Sequence, residues 1–112
     1  MRDPNLYLID IKEAIDKIQE YTKDLSFDEF SKNSEKIDAV VRNLEIIGEA
    51  VKNIPKELKQ KHKEINWQDI VDMRNIITHE YFGIDTEIVW KTIKESLPTL
   101  ENKVNDILKK AK

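Results

Sequence analysis

Seven apolar residues, Ile37, Val40, Val41, Leu44, Ile47, Val51 and Ile54, constrain this chain more than any other feature. Their spacing by threes and fours puts them on one stripe of a 3.6-residue helix. The segment from about Glu35 to Ile54 is therefore a long amphipathic helix that needs apolar partners along its length. Gly48 sits inside it, where Gly costs roughly 1 kcal/mol against Ala. A close crossing by a second helix is the physical reason to keep a Gly there.

The flanking segments supply such partners. Asp3 and Pro4 suit the cap and first turn of a helix carrying Leu8, Ile11, Ile15 and Ile18 and fading near Lys23-Asp24. Ser26 to Phe30 reads as a short turn with two aromatic plugs, and Ser31 to Ser34 offer caps for the long helix. Pro55 stops the long helix or opens a short connector, Lys56 to Lys61. Asn66 is an N-cap for a further helix with Trp67, Ile70, Met73 and Ile77 turned inward, ending at Phe82-Gly83. Ile84-Asp85-Thr86 begins the last helix, with stripe Val89, Ile93, Leu97, Leu100, Val104 and Ile107. Pro98 should kink or split it near Glu95 to Leu97. The expectation is an all-α fold: an antiparallel bundle of four main helices plus a short connecting helix, in one domain spanning 1–112.

Composition excludes several functions. The net charge of −3 argues against binding nucleic acid through a broad basic face. Any RNA contact must be local, through a few residues in a cleft. There is no Cys, hence no disulfide framework and no thiolate metal site, and no apolar run spans a membrane. With mixed polar sequence directly after Met1-Arg2-Asp3-Pro4, a cytoplasmic protein is expected.

Chemistry concentrates in Met73 to Gly83. Arg74, Asn75, His79 and Tyr81 share one helix end, and the other His of the chain is His62. At about 100° per residue, Arg74 and His79 lie about 140° apart around the axis, whereas Tyr81 lies within about 20° of Arg74. One helix does not aim both Arg74 and His79 at one small target, so a symmetric pair of copies belongs to the hypothesis. A His near a helix C-terminus is biased toward its protonated form and Arg is always charged, which suits a phosphodiester developing negative charge.

Other constellations favour plainer readings. Arg42, Glu45 and Glu49 lie on the polar face of the long helix. They read as a solvated or site-flanking face, with Arg42 to Glu45 and Glu49 to Lys52 as i,i+3 pairs. The Glu-x-x-His pair of di-metal bundles is absent, and no metal or cofactor is expected. Trp67 and Trp90 read as core plugs, and Lys56 to Lys63 with His62 as a solvated connector.

The string Arg74-Asn75-Ile76-Ile77-Thr78-His79-Glu80-Tyr81 resembles the Arg-x4-His-x-Tyr signature of the HepT-like minimal HEPN family. The likeness extends to Tyr7-Leu8, Arg42-Asn43-Leu44-Glu45-Ile46-Ile47-Gly48-Glu49-Ala50, Ile65-Asn66-Trp67, Ile84-Asp85 and Val89-Trp90. It implies a HEPN-like bundle acting as a homodimeric, metal-independent endoribonuclease toxin of a type VII-like toxin–antitoxin system. Arg74 and His79 would be catalytic, Asn75 a polar support, and Tyr81 the acceptor of AMP from an MntA-type nucleotidyltransferase antitoxin. The alternative is a non-catalytic helical module that binds such a nucleotidyltransferase or presents nucleotides to it.

Overall fold

A computed structural model describes residues 3–79 and 85–110, with the backbone alone for 76–79. Among the described residues every regular element is helical. α1 (Pro4–Thr22), α2 (Phe27–Ser31), α3 (Ser34–Asn53), α4 (Lys56–Lys61) and α5 (Trp67–His79) are followed by α6 (Thr86–Lys91), a π turn (Thr92–Ser96) and α7 (Leu97–Lys110).

Local chemistry sets the boundaries. The Asp3 carboxylate accepts from the Asn5 N–H at 2.9 Å and Pro4 fills the first turn, where its missing donor leaves nothing unsatisfied. The segment expected as a turn after Ser26 closes into α2. Ser26 Oγ accepts from Glu29 N–H and the Glu29 carboxylate accepts from Ser26 N–H, a reciprocal box that satisfies two free donors. Hydrogen bonding to Ser26 holds the Glu29 carboxyl below its ordinary range. Asn33 caps α3, and Asn66 accepts from Asp69 N–H at the start of α5.

The core is the set of stripes laid together. α3 packs on α1 along one side and on α5 along the other, while α7 lies against α1. Leu8, Ile11, Ile15 and Ile18 meet Val40, Leu44, Ile47 and Val51, and Val104 and Ile107 close the assembly. Trp67 is 8% exposed and donates its indole N–H to the carbonyls of His62 (3.0 Å) and Lys59 (3.3 Å). It thereby pins the connector to the bundle. Trp90 packs against Phe30, with ring centroids 5.2 Å apart, and joins α2 to α6. Both tryptophans are structural plugs, as the sequence suggested.

The last helix is split close to the expected place, the interruption being a π turn over Thr92–Ser96 that ends just before Leu97. Pro98 cannot donate to the carbonyl four residues back, and just before it the ladder widens, with Leu97 N–H bonding the Thr92 carbonyl. On α5 Trp67 is buried and Ile70 and Met73 turn inward but are only partly buried; the side chain of Ile77 lies outside the described residues. Ile70 and Met73 touch the core but line an open apolar groove of about 370 Å³, shared with Ile47, Leu97, Leu100 and Ile88, which is 57% exposed. The expected helix end at Phe82-Gly83 lies outside the described residues. No described helix is long and apolar enough to cross a membrane.

Candidate functional site

The crossing of α3 and α5 places Arg74. Gly48 presents no side chain at the crossing, so the Arg74 stem settles against the α3 backbone. A Cβ built on Gly48 would collide with Arg74 Cβ and Cγ and touch its Cδ at 3.4 Å. The glycine expected to mark a close crossing therefore does so, and the residue it admits is the motif arginine.

From that notch the guanidinium reaches a cleft between α1, α3 and α5. Arg74 Nη2 lies 3.0 Å from Glu49 Oε2 on α3, and Nη1 donates to Asn75 Oδ1 at 3.1 Å. Nε is buried with no hydrogen-bond partner among the described residues. The Arg74 side chain is 26% exposed and that of Glu49 51%, so the pair is wet and contributes at most about 1 kcal/mol to stability. An interaction so weak energetically matters more for where it points the guanidinium than for holding the fold.

The cleft has a volume of about 480 Å³ and is lined by Tyr7, Asp10, Arg42, Glu45, Ile46, Glu49, Ala50, Asn53 and Arg74. The polar face of the long helix is thus neither an isolated solvated face nor a set of pairs confined to one helix. Arg42, Glu45 and Glu49 flank the motif arginine, and Glu49 reaches across to Arg74. The contributions of Tyr7, Asp10 and Asn53 were not anticipated. The available signal was angular: Glu45, Glu49 and Asn53 recur every four residues beside Gly48, so whichever helix uses the glycine notch meets that row.

Of the residues singled out in the sequence, Arg74 and Asn75 come together with Glu49. His79 is the last residue of α5. Its side chain, like Tyr81 altogether, lies outside the described residues. His62 is not part of the cleft lining; its Nδ1 lies 3.3 Å from Glu64 Oε1. Among the described residues no three His, Cys, Asp or Glu side chains gather closely enough to hold a metal ion.

The architecture is that of a HEPN-like helical domain with a polar cleft at the crossing that carries its arginine. Comparison with known proteins makes this specific. The family model described as "Ribonuclease HepT-like" matches residues 11–107. A protein of Caldanaerobacter subterraneus subsp. tengcongensis, provisionally named an RNase, is 45% identical over 112 residues, all of both chains. A Thermococcus cleftensis protein, provisionally named a ribonuclease HepT, is 46% identical over 103 residues, covering 92% of this chain and 94% of its own. A Methanocaldococcus jannaschii protein, again provisionally named an RNase, is 41% identical over 103 residues with the same coverage. No solved structure gives a significant match. The chain belongs to the HepT-like ribonuclease family.

Proposed function

We propose that this ribonuclease is a homodimeric endoribonuclease toxin in which Arg74 of one copy and His79 of the other act on one RNA phosphodiester. The observation that carries the reading is Arg74 itself: its stem occupies the Gly48 notch, and its two Nη atoms are steadied by Glu49 and Asn75 beside a polar cleft. In the proposed reaction a ribose 2′-oxygen forms a bond to the adjacent phosphorus while the bond from phosphorus to the 5′-oxygen breaks. His79 moves the proton, and Arg74 neutralises charge developing on the non-bridging oxygens. Asn75 supports Arg74.

Two features support pairing of copies. The angular separation of Arg74 and His79 on an ideal helix, about 140°, leaves one helix unable to present both to one phosphate. The apolar groove beside α5, with exposed Ile88 at its margin, offers a surface that association would cover. Regulation follows the family likeness: an MntA-type nucleotidyltransferase antitoxin transfers AMP to Tyr81. Phosphates added there would pair with the Arg74 guanidinium and exclude RNA.

The test is digestion of RNA by the purified protein in excess chelator. The expected products end in a 2′,3′-cyclic phosphate and a 5′-hydroxyl, and a 2′-deoxy residue at the cut position blocks cleavage. Preincubation with the nucleotidyltransferase and ATP should add AMP to Tyr81, read by mass spectrometry, and stop digestion. Intact RNA together with a stable nucleotidyltransferase complex would leave the non-catalytic module as the better description.

A further inference from the structure

Arg74 has five N–H donors, and the structure accounts for them unequally. Nε is sealed in the crossing, so the side-on fork of Nε with one Nη is closed to a ligand. What remains is the end-on edge of Nη1 and Nη2. Asn75 engages Nη1 at 3.1 Å and Glu49 engages Nη2 at 3.0 Å, yet each nitrogen carries a second hydrogen. The guanidinium is thus held at both Nη atoms by acceptors from two different helices. Asn75 shares the backbone of Arg74 and moves with it, whereas Glu49 stands on α3 and gives the guanidinium a fixed external reference.

We infer that Glu49 is a positioning residue for Arg74, orienting the guanidinium so that its two Nη atoms meet the scissile phosphate end-on. This rests on the proposed ribonuclease role of Arg74. Glu49 touches no reacting atom and acts through the arginine. The exposure of the pair separates this role from a structural one, since a wet ion pair adds little to stability while still fixing a rotamer. Gly48 and Glu49 are then two parts of one device: the glycine admits the stem and the next residue aims the head. A bidentate contact depends on angle as well as distance, so loss of that aim falls on the chemical step.

The experiment compares wild type with Glu49→Ala and Glu49→Gln. Glu49→Ala should lower kcat for RNA cleavage by about 100-fold, with KM changed less than about threefold and Tm nearly unchanged. Glu49→Gln keeps an acceptor oxygen at the same reach and should recover most of kcat. Independently of activity, ¹H–¹⁵N spectra of the Arg74 guanidinium should show slow rotation about Cζ–Nη in wild type and Glu49→Gln and fast rotation in Glu49→Ala. Wild-type kcat in Glu49→Ala, a loss carried by KM, or equally fast rotation in all three proteins would overturn the proposal. A wild-type protein that cuts no RNA yet shows slow rotation would sink the ribonuclease role of Arg74 while leaving the Glu49 grip in place.

Discussion

Replacing Arg74 with Ala is expected to reduce RNA cleavage by about 100- to 1,000-fold, the usual cost of removing a preorganised donor from developing negative charge. The fold should survive. The guanidinium is partly exposed, its ion pair contributes at most about 1 kcal/mol, and truncation also removes a buried Nε that has no partner among the described residues. Arg74→Lys is expected to recover little. A Lys ammonium cannot meet Glu49, Asn75 and a phosphate in the planar geometry that the guanidinium offers. Initial cleavage rates on a labelled RNA, with circular dichroism melts of the same preparations, check both statements. Strong cleavage by Arg74→Lys would show that charge alone suffices and that the orientation of the fork is incidental.

The second large effect is expected at a residue without a side chain. Gly48→Ala improves intrinsic helix propensity by about 1 kcal/mol. The added methyl, however, meets Arg74 Cβ and Cγ, atoms tied closely to the α5 backbone and unable to swing aside as the tip of a long side chain would. Overpacking of this kind costs about 1–3 kcal/mol and forces the helices apart or the stem out of its notch. Contacts this close put the steric cost in the upper part of that range, about 2–3 kcal/mol, so it outweighs the propensity gain: the net loss should be about 1–2 kcal/mol, a fall in Tm of several degrees. Cleavage should fall further than stability does, because displacing the guanidinium by about an ångström costs up to 100-fold. Thermal melts and kcat on the same variant separate the two losses. A higher Tm with undiminished cleavage would show that α3 and α5 do not need their close approach.

Both predictions turn on a feature that one sequence displays only in part. Gly48 announced a close crossing because a glycine inside a strong amphipathic helix has a cost that something must offset. The helices were legible for the same kind of reason: Asp3, Asn33 and Asn66 are local signals, and the Val89 to Ile107 stripe survives even where Pro98 widens the ladder. The pairing of Glu49 with Arg74 was not legible. Along one helix Glu49 has Lys52 three residues away, and sequence spacing reports only such intrahelical neighbours. Its partner stands 25 positions later and meets it because of an interhelical angle that spacing does not encode. The stripe of α5 was legible in direction but not in depth. Ile70 and Met73 pack on the core as their periodicity suggests, yet part of that face borders an open groove, because spacing reports which side of a helix is apolar and not how completely that side is covered.

The central claim is that catalysis needs groups from two copies, and mixing two inactive variants tests it most directly. Arg74→Ala keeps His79, and His79→Ala keeps Arg74. If each site draws the guanidinium from one copy and the imidazole from the other, mixed dimers regain one intact site of two. After free exchange of subunits the mixture should then recover about a quarter of wild-type cleavage. No recovery, in a mixture shown by native mass spectrometry to contain mixed dimers, would mean that Arg74 and His79 of the same copy work together, and the shared site would be contradicted.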